Sequence, residues 1–591
     1  MTLDYGLIGN RQTDALVSEK GSIEWCCFPR FDSPSVFAKI LDSEKGGSFE
    51  IIPINGESYE QKYLEKTNVI STKISTQNGK FEILDFFSVF IGPYKEFQSF
   101  PEIQRYIKVV EGSPKIKVKF DPKFNYARED PKISTRDGNI VAEGENEELF
   151  LTTNLDAQKI IGKKEITLKQ DSYLTLSYED IFHNNLEETR KTLNDTVELW
   201  RRIVENTTLP KKYEKDTIRS LLALELMRYE ESGATIAAVT TSIPEIIGEE
   251  RNWDYRYCWL RDSALTVDAL TRVCHFEEVR NFMKWLLQCC DDLETMKDVE
   301  GNSVPEEEIL DHLSGYENSK PVRIGNEAKN QKQLDIFGEV LESVQKFFLE
   351  YEYVEDITSK QWQIIEKWVD SAANSWQEKD HGIWEFRDLK DHYTFSKLMC
   401  WVALDRGAKI AKDIGKERKA EEWREEAKKV RADVMEKGWN EEIGAFTQRY
   451  GSKNLDASML LISRLDFLAP DHPKVISTID SIDERLREGC FVFRYKSADD
   501  FGKPKNAFTP CTLWLVESQY MAGRKEKARN LFENLLTHSN HLGLFSEDIN
   551  PETEDLIGNF PQAYTHMALM NAAVILSKGE SKSPECELKL V

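Results

Sequence analysis

A β-rich amino-terminal part joined to a long all-helical part is the fold that the sequence predicts, on three observations. Up to about residue 183, apolar and polar residues tend to alternate; from Leu186 onward the apolar residues recur with a helical period. The helix-like segments also tend to come in pairs, separated by loops rich in aromatic residues and glycine. With 591 residues, 40 % of them apolar, and with 13 Trp, 20 Tyr and 30 Phe, the chain can bury large cores. A prior of roughly 150 residues per domain allows several units.

In the first part, Ile116, Val118 and Phe120 alternate with lysines, as a strand with one buried face requires. Leu149–Thr152 and Tyr173–Tyr178 read the same way. The run Ser75-Thr76-Gln77-Asn78-Gly79-Lys80-Phe81 sets Asn-Gly between two β-rich stretches, and both residues tolerate the positive φ of a type I′ hairpin. Short strands with no helices between them imply an antiparallel sandwich.

In the second part, Ile218, Leu221, Leu222, Leu226 and Tyr229 form one apolar stripe, and Phe337, Val340, Leu341, Val344, Phe347 and Phe348 another. Further helices are expected at about 260–273, 276–292, 360–376, 394–413, 417–436, 456–464, 473–488, 511–522, 524–537 and 562–577, about twelve with the two stripes. Such pairs can close into a double ring with one mouth made of loops, or stack as an open solenoid. No fixed-period consensus marks a solenoid, and periodicity leaves both arrangements open.

The 103 acidic and 78 basic side chains leave a net charge of −25, which repels phosphate backbones and anionic lipid; neither nucleic acid nor a membrane surface is an expected partner. The start Met1-Thr2-Leu3-Asp4-Tyr5-Gly6-Leu7 lacks the basic-then-apolar pattern of a signal peptide, and no apolar run is long enough to span a bilayer. Ten scattered cysteines, with adjacent pairs at Cys26/Cys27 and Cys289/Cys290 but no CxxC, read as mostly reduced thiols in a cytoplasmic protein. The nine histidines form no HExxH, and neither a GxSxG elbow nor a phosphate-binding GxxxxGK[ST] loop is present. A zinc hydrolase thus lacks ligands at usable spacing, and a mechanism run by two carboxylates requires no cofactor and no metal. Gly325-Asn326-Glu327 reads as a turn, and His392 and His566 as structural partners or helix caps.

Three loops concentrate chemistry. Arg251-Asn252-Trp253-Asp254-Tyr255-Arg256-Tyr257-Cys258-Trp259-Leu260-Arg261-Asp262 interleaves flat rings with Arg and Asp, a combination suited to a neutral polyhydroxyl ligand; the plainer alternative is packed surface aromatics with Asp262 as a helix cap. In Asp380-His381-Gly382-Ile383-Trp384-Glu385-Phe386-Arg387, rings flank Glu385; if they shield it, its neutral form is favoured, as a general acid needs. The alternative there is a surface ion pair of Glu385 with Arg387 or Lys397. Gly543-Leu544-Phe545-Ser546-Glu547-Asp548 offers a second carboxylate before the last long helix. Two opposed carboxylates would suit glycoside hydrolysis, although sequence separation says nothing about distance.

At these loops the chain resembles glycoside hydrolase family 15, the family of glucoamylases, glucodextranases and some microbial trehalases. The resemblance begins at Asp4-Tyr5-Gly6-Leu7-Ile8-Gly9-Asn10, Gly21-Ser22-Ile23-Glu24-Trp25 and Pro29-Arg30-Phe31-Asp32-Ser33-Pro34. It continues through 251–262, Lys320-Pro321-Val322-Arg323-Ile324-Gly325-Asn326, Gly382–Glu385 and Gly543–Asn550. It implies an amino-terminal antiparallel β-sandwich (1–183), a helical linker (184–209) and an (α/α)6 barrel (210–591). By motif, Glu385 matches the family's general acid and Glu547 its general base, acting with inversion across a carboxyl separation of about 6.5–9.5 Å. Arg261 and Asp262 match the pair that grips the terminal glucose, Tyr255 and Trp259 the aromatic lining, and Arg494 a more distant binding arginine. Trp384 would shape the pocket beside the acid.

Phe386-Arg387 stands where better-known fungal glucoamylases carry a second carboxylate after the acid, so binding beyond the first glucose is expected to differ. The chain's polar end at Ser577-Lys578-Gly579-Glu580 leaves no room for a starch-binding domain, which points to soluble substrates. The leading expectation is an exo-acting glucoamylase-type hydrolase of soluble α-glucans or maltooligosaccharides, releasing β-glucose. The second is α,α-trehalase with the same carboxylate pair, and the third a non-catalytic sugar-binding protein. A structural cation and a homo-oligomer are left open.

Overall fold

A computed structural model describes residues 3–92, 96–178, 181, 185–348 and 357–577. Antiparallel strands build the amino-terminal part as two sheets. The first runs Tyr5–Gly9, Asp14–Ser18, Ile23–Cys27, Ser48–Pro53, Lys115–Asp121 and Ile166–Thr167, with Ser35–Phe37 paired to Ile23–Cys27. The second runs Lys132–Arg136, Asn139–Glu143, Glu148–Thr153, Ser172–Tyr178, Phe97–Gly112, Gly79–Ile91, Ile70–Thr76 and Gly56–Tyr63. Ile8, Val17, Phe49 and Val118 of the first sheet share one core with Ile74, Phe81, Ile103 and Leu174 of the second, so the part is a sandwich. Ile116, Val118 and Phe120 point into that core and Lys117 out of it, as the alternation requires.

The hairpin at Asn78-Gly79 forms, but its turn lies one residue earlier than expected. Thr76 pairs with Gly79, so Gln77 and Asn78 are the connecting residues and the type I′ placement of Asn-Gly is not adopted. Gly79 instead begins the next strand at φ 143°, where a Cβ would sit 2.0 Å from the Glu111 carbonyl oxygen. Close approach to the neighbouring strand, not the turn, is what demands glycine here.

The expected boundary between residues 183 and 184 lies outside the described residues. Beyond it, Leu186–Glu205 is a helix capped by Asn185, whose side chain accepts from the Glu188 N–H. It lies against the second sheet, with Leu186, Leu193 and Val197 packed on Leu84, Phe86 and Tyr106.

The helices expected from periodicity follow, with ends shifted by a few residues. Only 456–464 differs in kind: it is a 3₁₀ segment, Ala457–Ile462. Asp456 takes the Ser458 N–H with its side chain and Asp466 turns the chain at φ 59°, which leaves little length between them. This segment, together with Ser263–Arg272, Asp335–Lys346, Thr394–Asp413, Thr509–Met521 and Ala563–Ser577, forms an inner ring in which each packs against the next. The last of them packs back on Ser263–Arg272, which closes the ring and excludes the open solenoid. Glu214–Met227, Phe276–Cys289, Ser359–Ser375, Glu417–Lys437, Pro473–Arg485 and Lys525–Leu536 lie outside it. Burial follows position. Thr509–Met521 and Ala563–Ser577 are buried on almost every face, whereas Lys525–Leu536 buries only Ala528, Phe532 and Leu535.

The sandwich is clamped to the barrel by polar contacts that desolvation makes costly to leave unmade. Trp25 Nε1 donates to the Val239 carbonyl at 2.7 Å, and Asn540 Nδ2 donates to the carbonyls of Leu3 (3.0 Å) and Tyr5 (2.8 Å). Eight cysteines among the described residues are free thiols, as expected for most of them, and Cys274 is disulfide-bonded. No helix among the described residues is long and apolar enough to cross a membrane. The polar end from residue 578 lies outside the described residues.

Candidate active site

The loops that lead into the inner helices converge on one pocket. Tyr255, Trp259, Arg261 and Asp262 precede Ser263–Arg272; Trp384 and Glu385 precede Thr394–Asp413; Arg494 precedes Thr509–Met521; Glu547 precedes Ala563–Ser577. All eight line the same cavity. Residues up to 292 positions apart meet there because each occupies the amino-terminal approach to a helix of one closed ring.

Glu385 sits in a tight turn at φ 59°, held by its own N–H to the Gly382 carbonyl and by Gln331 Nε2, which donates to the Glu385 carbonyl at 3.1 Å. A left-handed backbone of this kind costs a non-glycine residue about 1–2 kcal/mol and persists only when its surroundings impose it. The neighbouring rings also line the cavity but are engaged with other partners than the Glu385 carboxylate. Trp384 gives its N–H to Asp456 and packs on Phe508 and Trp514, while Phe386 stacks on Tyr393 at 5.3 Å. The shielding of Glu385 expected from these two rings is thus replaced by a set of donors: Trp259 Nε1 (2.8 Å), Arg261 Nη1 (3.2 Å) and Gln333 Nε2 (3.2 Å), all to Oε1. The alternative surface pairings do not form. Arg387 pairs with Glu307 at 2.6 Å, and Lys397 donates to the Glu378 carbonyl.

Glu547 is wholly buried. Tyr255 donates to its Oε1 at 2.7 Å and the Asn559 N–H reaches Oε2 at 3.4 Å. Gly558 is at φ 80°, and a Cβ there would lie 2.9 Å from Glu547 Oε2, so only glycine leaves the carboxylate its place. Burial first, and then the nearby Glu245 carboxylate, push Glu547 up to about 8 against the pull of Arg494. Asp548, equally buried with neither carboxyl oxygen hydrogen-bonded, is raised well above the usual range by burial. The two glutamates are linked through side chains. Tyr255 holds Glu547, its ring meets Trp259 edge-on at 5.3 Å, and Trp259 holds Glu385.

Arg261 and Asp262 lie beside Glu385, 3.7 Å apart at their nearest charged atoms. Burial raises Asp262 to about 6, opposed by Arg261. Asp262 does not cap the helix that follows it, which disposes of the plainer alternative for this loop. Arg494 lines the pocket but is committed: Nη2 pairs with Glu245 and lies 3.7 Å from Asp548. His566 is structural, accepting the Phe545 N–H on Nε2 and facing Ser220 through Nδ1; burial lowers it to about 3.

The aromatic loop serves two masters. While Tyr255, Trp259 and Arg261 face the pocket, Arg256 is fully buried on the other side, paired with Asp254 at 2.7 Å and bonded to the Ser33 carbonyl and the Tyr126 hydroxyl of the sandwich. Sequence reasoning missed Glu245, Gln333 and Asp456. Gln333, which holds Glu385 from beside the pocket, was reachable, because it stands just before the stripe that starts an inner helix, as the pocket residues do. Glu245 and Asp456 carry no comparable signal among so many acids.

The family model described as glycosyl hydrolases family 15 matches residues 211–574, and one described as trehalase-like, N-terminal, matches residues 4–164. The chain belongs to glycosyl hydrolase family 15. It is a glycoside hydrolase with an amino-terminal β-sandwich and an (α/α)6 barrel. Curated relatives match nearly its whole length. Trehalase 2 of Sulfolobus acidocaldarius is 36 % identical, covering 96 % of this chain and 98 % of its own. The trehalase of Mycobacterium tuberculosis is 34 % identical over 98 % and 90 %, and that of Thermoplasma volcanium 32 % over 96 % and 92 %. Among solved structures, a bacterial glucoamylase complexed with acarbose shares the family fold at a TM-score of 0.70 and 14 % identity, covering 98 % of this chain and 94 % of that one.

Proposed function

We propose that this family 15 hydrolase is an α,α-trehalase that cleaves its substrate with inversion, Glu385 serving as general acid and Glu547 as general base. The single observation that carries the chemistry is the meeting of these two carboxylates in one pocket, tied together through Tyr255 and Trp259. Of the two enzyme readings drawn from the sequence, trehalase has the better support, because the full-length relatives described above bear that name. The glucoamylase reading rests on a likeness of fold. The rim adds a physical reason. Arg387 lies over the Trp253 ring at 4.4 Å, its backbone N–H donates to Asp500 at 2.6 Å, and Arg251 pairs with Asp499. The Arg251 and Arg387 contacts tie segment 494–502 to other lining residues of the pocket, an arrangement that suits a short substrate better than a longer glucan.

All three donors to Glu385 reach Oε1, so the proton of the acid is carried on Oε2, ready for the bridging glycosidic oxygen. Glu547 takes a proton from the water that attacks the anomeric carbon from the other face. Its raised proton affinity makes it a stronger base once ionised. Arg261 and Asp262 offer a donor and an acceptor to sugar hydroxyls, and Tyr255 and Trp259 offer flat faces. The eight free thiols among the described residues fit work in a reducing cytoplasm, with the Cys274 disulfide as the exception.

In trehalose both anomeric carbons are α, and inversion at one gives one β-glucose and one α-glucose per turnover. Early-time proton NMR of the products therefore tests the mechanism, and rates on trehalose against maltotriose test the substrate. Two α-glucose molecules would overturn inversion, and faster cleavage of maltotriose would return the reading to glucoamylase.

A further inference from the structure

Outside the pocket, a group of ligating side chains lies between two outer helices of the barrel, where Arg11 of the sandwich reaches it. Glu225 (1 % exposed) ends the helix Glu214–Met227, His275 (7 %) precedes the helix Phe276–Cys289, and Glu278 lies in that helix's first turn. Glu225 Oε1, His275 Nδ1 and a Glu278 oxygen lie within 4.8 Å of one another, and none of these residues lines the active-site cavity. Neither Glu225 Oε1 nor His275 Nδ1 has a hydrogen-bond partner, although both are buried. Unmade polar contacts of this kind call for an occupant.

The surroundings set both atoms up as ligands. Thr207 spends its hydroxyl proton on the Ile203 carbonyl at 2.7 Å, so at 2.8 Å from His275 Nε2 it accepts. The ring therefore carries its proton on Nε2 and presents a lone pair from Nδ1. Arg11 and Arg228 both bind Oε2 of Glu225, which leaves Oε1 aimed into the gap. Nδ1 stands 3.6 Å from Glu225 Oε1 and 3.6 Å from Glu278 Oε1. That is too long for a hydrogen bond, yet near the edge of about 3.4 Å between ligands of a tetrahedral ion bound at about 2.0–2.1 Å.

We propose that Glu225, His275 and Glu278 bind a divalent transition ion of the zinc type, with water completing the coordination. One imidazole and two carboxylates suit a borderline ion better than calcium or magnesium, whose sites are built from oxygen alone. The ion ties two helices of the barrel together. Through Glu225 and Arg11 it also reaches the turn between the first two strands of the sandwich.

The full chain, stripped with a chelator and dialysed, is titrated with Zn²⁺ against a chromophoric competitor. One ion per chain is expected, with binding about 10–100-fold weaker in Thr207→Val, which loses the acceptor that orients the ring, and at least about tenfold weaker in Glu278→Gln. Because a variant can fail for other reasons, Co²⁺ is added to the unmodified protein, where a visible ligand-field band at one equivalent supports the site. The rival occupant is a proton on Nδ1, since Glu225 and Glu278 carry His275 up to about 9 against its burial. A stoichiometric Zn²⁺ complex in which nitrogen-15 NMR shows Nδ1 deprotonated supports the ion. No saturable Zn²⁺ binding, or an Nδ1 that keeps its proton with Zn²⁺ present, overturns it.

Discussion

Glu385 and Glu547 face one cavity in contrasting company. Glu385 is half-buried and met by N–H donors alone, one of them the Arg261 guanidinium, all gathered on a single oxygen. Glu547 is sealed from solvent among other acids, with Glu245 beside it and Asp548 next in the chain, and Arg494 shared between these two. The first wall orients a carboxyl by directional bonds; the second raises a carboxyl's proton affinity by burial and repulsion. Two residues of the same type acquire different capacities because their surroundings differ.

The largest expected effects separate the walls outright. Glu385→Gln and Glu547→Gln should each lower kcat on trehalose by about 10²–10⁴-fold. On α-glucosyl fluoride, whose leaving group needs no proton, Glu385→Gln should recover most of its rate and Glu547→Gln none. Equal recovery by both would erase the distinction.

Removing the Arg261 charge comes next. Arg261→Ala deletes a charge-assisted bond worth about 1.5–3 kcal/mol, equivalent to roughly 10–100-fold in kcat/KM, with the loss read by steady-state kinetics on trehalose. A change under threefold would show that Trp259 and Gln333 suffice to hold Glu385.

Two variants then test the Glu547 wall through pH, with opposite signs. Activity needs Glu547 ionised, and its raised affinity means that activity is lost at a higher pH on acidification than for an ordinary glutamate. Glu245→Gln removes the repelling carboxylate and frees Arg494, so the acid limb of kcat/KM should move to lower pH by on the order of one unit. Tyr255→Phe removes a donor that favours the ionised form, so the limb should move to higher pH by a smaller amount. Its rate loss should be the smallest here, as one neutral hydrogen bond is worth about 0.5–1.5 kcal/mol.

Legibility in the sequence followed the range of each interaction. The alternation of Ile116, Val118 and Phe120 reads correctly because strand sidedness is set two residues at a time. The helix 394–413 reads to the residue because its apolar pattern is unbroken. The Asn78-Gly79 turn slipped by one position because Gly79 answers to Glu111 on another strand. The eight site residues were found through motifs, and they do share the pocket. The contacts of Glu385 are less legible, since its flanking rings pack on other partners while Gln333 and Trp259, distant in the chain, hold its carboxylate.

What the residues determine alone is local: two kinds of periodicity, the change between them, and loops too rich in rings and charges to be mere connectors. Whether a dozen helices stay open or close is decided only when Ala563–Ser577 meets Ser263–Arg272, nearly 300 residues upstream, because burying both faces of an inner helix takes neighbours on every side. The split of one loop between pocket and sandwich, the acidic company of Glu547 and the gap beside His275 are likewise tertiary. Each depends on groups whose distance in space bears no relation to their distance along the chain.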